Sequence, residues 1–290
     1  MDTACDAVIL FPSDHLNQSK PTMLFEKEYE LALANPYVKA RLCDIDSFFE
    51  GSQLVLDKPL ETPCRAIWRG WMMRPVQYAE FFDRCRDLGA ELLTYPDAYE
   101  LMHCFPHSYH YIDEGDTPHI EVFETTIDAK RVNGTFDAFI VKDYVKSLKD
   151  TSFPARIETP ITQERCDELS RDFIELRGDL FTGGLVCKQF VKLKHYGRRT
   201  NEWRAFFFDG NLLDLSGNSL QFAFCPAPPA ELVQRAAGFH SPFYTVDFAE
   251  LDNGGWTILE TGDGQVSGIA SEAFAEEFVD KLIAALRGAT

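Results

Sequence analysis

Residues Trp256–Gly268 read WTILETGDGQVSG. An apolar strand pattern runs into Glu260 and Asp263, with Gly262, Gly264 and Gly268 around them. Upstream, Phe243–Phe248 (FYTVDF) is a second strand, and Asp252-Asn253-Gly254-Gly255 supplies a turn between the two. Paired as a hairpin, these strands bring Asp247 and Glu260 to one face within reach of a single ion. Asp263 follows in the glycine-rich loop. Three oxygen donors at a strand end suit a hard divalent cation, Mg²⁺ above all, with waters and phosphates as its remaining ligands. On the hairpin alone a solvated acidic loop is the simpler reading, because the chain holds 46 Asp and Glu.

Cations on apolar strands shift that balance. Lys142 ends FDAFIVK (136–142), Lys188 sits in LVCKQFV (185–191), and Arg204 sits in EWRAFFF (202–208). A strand lysine among apolar neighbours is costly unless it meets an anion. Lys192 and Lys194 fit an outward-facing edge instead. A nucleoside triphosphate accounts for both charge sets: cations face phosphates, and carboxylates hold the metal that bridges them.

The rest of the chain bounds the alternatives. Its 290 residues suffice for two domains sharing a cleft. The formal net charge of -18 repels nucleic acid and anionic membrane at long range. No apolar segment is long enough to span a bilayer. Asp2 and Asp6 stand where a signal peptide would carry positive charge. The eight cysteines, from Cys5 to Cys225, form no CxxC pair and read as reduced thiols. A cytoplasmic location is the expectation.

Residues 26–33 read as a helix, 66–71 as a strand, Pro75 to Gly89 as a capped helix and 91–95 as a strand, an α/β layer. IDEGDTPH (112–119) marks a boundary. Beyond it come a strand over 136–142, a helix over 162–176 capped by Thr162, and a strand over 184–194. Asp209-Gly210 is a two-residue hairpin turn joining 203–208 to 211–215. A helix over 230–237 follows. Ser271 caps a last helix with Phe274, Phe278 and Leu282 on one face. The second half thus reads as antiparallel sheet with helices on one side, an α+β arrangement.

The order VK, helix, LVCKQFV, EWRAFFFDGNLLD, helix, YTVDFAEL, WTILETGDG resembles the ATP-grasp superfamily of carboxylate–amine ligases, nearest to a clade found in bacteria and their phages. The resemblance covers residues 136–269, and order and spacing carry it. It implies an ATP-grasp fold: two α+β subdomains (about 116–189 and 190–290) clasping ATP, preceded by a Rossmann-like N-terminal domain (1–115). Carried over, Lys142 resembles the lysine that contacts the α- and β-phosphates, and LVCKQFV the hinge, where Lys188, Gln189 and Val191 meet the nucleotide. Glu202 resembles the acid on the ribose, Arg204 a phosphate contact, and Asp247 and Glu260 the metal-binding acids. Where the family has Glu-x-Asn, this chain has Gly262 and then Asp263, which either replaces the asparagine or leaves a second ion loosely held. Where many members carry an arginine, Thr245 stands here, so Arg204, Lys146 or Arg69 must steady the transferring phosphoryl group.

The resemblance implies ATP-dependent amide formation through an acyl phosphate. Its substrates would be small-molecule or peptide carboxylates and amines; a homodimer is the default assembly. A non-catalytic nucleotide-binding accessory protein and a phosphotransferase on the same fold stay open. There is no GxxxxGK[ST] motif. HCFPHSYH (103–110) lacks zinc-site spacing and reads as a substrate-pocket floor or a mixed polar loop. Arg69, between Trp68 and Trp71, reads equally as a substrate-side cation or as one outward arginine on a core strand. The acidic face of the last helix reads as solvated.

Overall fold

The continuous apolar run AVILFP is the signature of a strand covered on both faces, and it forms β1 (Ala7–Pro12) at the centre of a parallel sheet. In this computed structural model, which describes residues 7–51, 53–218 and 221–288, β1 pairs with β2 (Lys39–Cys43) and β3 (Cys64–Trp68). β4 (Ala90–Leu92) completes the order β2-β1-β3-β4. The helices α1 (Glu26–Ala34), α2 (Ile45–Phe49) and α3 (Pro75–Asp87) connect these strands in a Rossmann-like layer. Alternate residues of β1 face opposite cores, Ile9 and Phe11 one and Val8 and Leu10 the other. Asp2, Cys5 and Asp6 lie outside the described residues. The described cysteines are all buried.

α4 (Pro96–His103) and α5 (Phe105–Tyr109) lead to a second, antiparallel sheet. It holds β5 (Ile120–Phe123), β6 (Ala138–Lys142), β7 (Ile157–Glu158) and β8 (Leu185–Gln189) in the order β5-β8-β6-β7. The helices α6 (Ala129–Thr135) and α7 (Gln163–Arg177) cover one face, on which Phe139, Val141, Leu185 and Cys187 are buried with Val132, Leu169 and Phe173. Strand alternation sends Ile140, Lys142 and Lys188 to the other face.

After the short hairpin of β9 (His195–Tyr196) and β10 (Arg199–Thr200) comes the third four-stranded sheet. β11 (Glu202–Phe208), β12 (Asn211–Gly217), β13 (Phe243–Glu250) and β14 (Trp256–Asp263) order as β12-β11-β13-β14, all antiparallel. Asp209 and Gly210 make the expected turn at positive φ, 45° and 73°. Helices cover both faces rather than one. Phe207, Tyr244 and Val246 pack with Leu232 and Val233 of α8 (Ala230–Arg235). On the opposite face Phe206, Phe208 and Phe243 meet Phe278 and Leu282 of α9 (Ala275–Gly288), which also touches the parallel sheet through Ile9 and Phe11. That shared core fixes the first layer against the third.

Several boundaries differ from the sequence reading. The strand expected over 66–71 ends at Trp68, because the chain turns there to bury Arg69. The strand over 184–194 ends at Gln189, after which Lys194 bonds to Glu250 at the end of β13 and Lys192 to Asp252 in the turn beyond it. Phe274 is 46% exposed and precedes α9, so it is not on that helix's buried face. No described helix is long and apolar enough to cross a membrane.

Candidate active site

The cation-bearing face of the second sheet looks across at the carboxylate-bearing face of the third. Lys142, at the end of β6, is 1% exposed, and its Nζ donates to Glu260 Oε1 at 2.8 Å. Lys188, opposite Ile140 in the ladder, is 4% exposed and donates to the Leu259 carbonyl. Both ammonium groups lie over the Phe105 ring, at 5.3 and 4.2 Å from its centroid, which lowers the cost of burying them.

On the third sheet the register places Arg204 opposite Asp247 and Asp247 opposite Glu260. A bulge between Asp247 and Phe248 leaves Leu259 without a partner, which turns its carbonyl toward Lys188 and keeps Glu260 on the Arg204 face. Arg204 binds Asp247 through two parallel bonds of 2.7 Å, from Nε to Oδ1 and from Nη2 to Oδ2. Its Nη1 donates to the Gly268 carbonyl at 3.0 Å.

A cleft of about 400 Å³ lies between the two faces. Lys146, Lys188, Gln189, Val191, Glu202, Arg204, Asp247 and Glu260 line it. Sequence reasoning missed Lys149, Phe190 and Leu259 in the lining, and Phe105 beneath the lysines. The FIVK and LVCKQFV patterns located the cations, but nothing in sequence periodicity places a ring from α5 under them. Burial pushes the Lys188 ammonium down to about 7, helped by Lys142 and opposed by Glu260 and Asp247. Burial would raise Glu260, but Lys142, Lys188 and Lys146 outweigh it and hold the carboxyl at about 2. Lys146 reaches solvent at the mouth, yet partial desolvation still lowers its pKa, with Glu260 opposing. A cation excess thus fills this cleft in a chain of net charge -18.

Two expected site residues do not join this cleft: Arg69 lies outside it, and Asp263 lines only the smaller adjoining cavity. Arg69 is 0% exposed and faces no cleft. Its Nε and Nη2 bind Glu28 at 2.8 and 3.0 Å, and its Nη1 donates to the carbonyls of Gly264 and Ser267 at 2.6 and 2.9 Å. With its donors engaged it clamps the loop after β14 and has nothing left for a substrate. Asp263 is also 0% exposed; its Oδ1 accepts from the backbone and side chain of Gln265. The strand pleat turns it away from Glu260, so the three-carboxylate set does not assemble. Thr245 is buried and bonded to Ser267 Oγ at 2.9 Å.

The donor set that remains suits Mg²⁺, which takes one or two protein carboxylates and completes its shell with water and phosphates. Asp247 and Glu260 offer those two, and their side chains keep 25% and 39% exposure. Each is paired with a cation, so a divalent ion would compete with Arg204 and Lys142 for them. Among the described residues no cluster of three or more His, Cys, Asp or Glu could hold a metal. That includes the HCFPHSYH stretch.

The sequence profile of a family described as an ATP-grasp domain, the third family of its clade, matches residues 129–285, more than half of the chain. Comparison with curated proteins gives no match. Among solved structures, D-alanyl-alanine synthetase A from Vibrio cholerae is similar at TM-score 0.59 and 11% identity, covering 98% of each chain. A RimK domain ATP-grasp protein from Sphaerobacter thermophilus aligns at TM-score 0.59 and 13% identity, over 96% of this chain and 98% of that one. The ATP-grasp ligase PsnB, complexed with precursor peptide PsnA2 and AMPPNP, gives 0.58 and 10%, over 99% of both. At these identities the likeness is one of fold.

Proposed function

Because this chain belongs to that ATP-grasp domain family, we propose that it is an ATP-dependent ligase joining a carboxylate to an amine. The observation that carries this reading is one cross-cleft contact, Lys142 of the second sheet to Glu260 of the third, beside the Arg204–Asp247 pair within the third sheet. The buried cations are stabilised by carboxylates that a triphosphate and its metal can replace in kind: phosphate oxygens take the cations, and the metal takes the carboxylates.

In this reading the adenine lies at Gln189–Val191 and the ribose at Glu202. Lys142 and Lys188 hold phosphates. Asp247 and Glu260 would hold Mg²⁺, which would supply positive charge against the phosphates. Arg204 and Lys146, at the junction with the neighbouring cavity, steady the transferring phosphoryl group. The substrate carboxylate attacks the γ-phosphorus, ADP leaves, and an acyl phosphate forms. An amine then forms the C–N bond as the C–O bond to phosphate breaks. Positioning and charge neutralisation suffice for this, so no side-chain nucleophile is needed.

Mass spectrometry of products from Mg-ATP and a panel of amino acids and peptides tests the proposal. An amide with ADP and phosphate is the expected result. A stable phosphorylated product would instead make the chain a phosphotransferase. Mg-ATP binding without single-turnover ADP would make it a nucleotide-binding accessory protein.

A further inference from the structure

One residue of the HCFPHSYH stretch stands where the cleft continues toward the N-terminal layer. His103, at the end of α4, is 7% exposed and stacks on Tyr99 with ring centroids 4.8 Å apart. Its ring nitrogens bond to no described residue, and they are not among the polar atoms sealed from solvent. It lines two cavities at once. One, of about 130 Å³, also touches Lys146, Arg204, Asp247 and Glu260. The other, of about 310 Å³, opens beside Met73, Arg74, Gln77 and Arg177. Met72, Val145 and Lys146 are shared by both. His103 therefore stands at the neck between the phosphoryl-transfer region and a separate compartment.

A ring nitrogen at a cavity wall with no protein partner is free to bond a ligand that carries a matching group. Burial and then Lys146 and Lys142 push its pKa down to about 4, so the ring is neutral and offers one acceptor nitrogen. The same cations disfavour an ammonium at the neck and favour a neutral amine.

Resting on the ligase reading above, we propose that the larger cavity holds the acceptor, a primary amine, and that His103 accepts a hydrogen bond from its N–H. This aims the nitrogen lone pair through the neck at the acyl carbon. The C–N bond forms there while the C–O bond to phosphate breaks and phosphate departs with the electron pair. The surplus amine proton goes to the departing phosphate, a stronger base than this imidazole.

The test compares wild type, His103→Leu and His103→Gln with Mg-ATP and a mixture of proteinogenic amino acids, ammonia, alkylamines and diamines, with and without hydroxylamine. Hydroxylamine is neutral near pH 7 and traps acyl phosphate from bulk solution, so hydroxamate reports the first half-reaction alone. His103→Leu should keep hydroxamate formation near wild type while amide formation falls about tenfold, the worth of one hydrogen bond. His103→Gln, which retains an acceptor, should recover most of the amide. Equal Mg-ATP affinity in all three proteins checks the fold. The assignment is overturned if hydroxamate and amide fall together, if the leucine variant makes amide normally, or if wild type makes hydroxamate but no amide. A wild type that makes neither ADP nor hydroxamate overturns the ligase reading itself.

Discussion

Asp263 shows how a single carboxylate can look functional in sequence and be held for another reason. Burial raises its pKa to about 7, with Gln265 and then Arg69 opposing, and its Oδ2 has no partner. The folded pKa lies above the unfolded one, so the native state keeps a proton that the open chain releases first. Stability therefore falls as pH rises from about 4 to about 7, and the full penalty stands above that. Asp263→Asn should stabilise the protein by roughly 2–4 kcal/mol near pH 8 and by little near pH 4. Urea denaturation of both proteins at the two pH values measures this; equal midpoints at pH 8 would contradict it. The residues that meet at the cleft were legible because Lys142, Arg204, Asp247 and Glu260 break apolar strands, and an interrupted strand pattern has few cheap explanations. Arg69 and Asp263 were not, because the path of a loop and the pleat of one strand decide what each touches. The loop path is invisible to spacing; the pleat was missed because Asp263 was read as part of the loop, whereas β14 runs through it.

At the scale of elements, turn chemistry was the most readable signal. Asp209-Gly210 and Asp252–Gly255 each name a hairpin by the residues that tolerate positive φ. Gly210→Ala should cost about 1 kcal/mol or more, because φ is 73° and a Cβ would approach the Ala237 carbonyl at 3.2 Å. Mg-ATP affinity should not change, since the turn lies at the far end of β11 from Arg204. The bulge at Leu259 makes the opposite forecast. Deleting Leu259 makes the ladder regular with Glu260 still opposite Asp247, but it removes the carbonyl that holds Lys188 at the cleft, so Mg-ATP affinity should fall at least about tenfold. Titration calorimetry on the two variants separates the cases; a deletion variant with intact affinity would refute the role of the bulge. β1 escaped the sequence reading because a short strand buried on both faces has no alternation to detect, and β2 because five residues, Lys39–Cys43, carry too short a pattern. β8 was read too long because FVKLK alternates like a strand, although past Phe190 its backbone leaves the second sheet and bonds to the end of β13 and the turn after it.

At the scale of the whole molecule, the parallel layer and the third sheet are joined by α9 and by the Arg69–Glu28 pair under the loop that follows β14. Glu28→Gln would leave a buried guanidinium without its counter-charge and should cost about 3–5 kcal/mol, read as a shift of the urea midpoint. The claim everything else depends on is that cations of the second sheet and carboxylates of the third serve one nucleotide. Isothermal titration of ATP, with and without Mg²⁺, against wild type, Lys142→Ala, Asp247→Ala and Glu260→Ala tests it directly. The lysine variant should bind ATP more weakly under both conditions, whereas the two acid variants should lose chiefly the affinity that Mg²⁺ adds. Unchanged binding in all three would contradict the account.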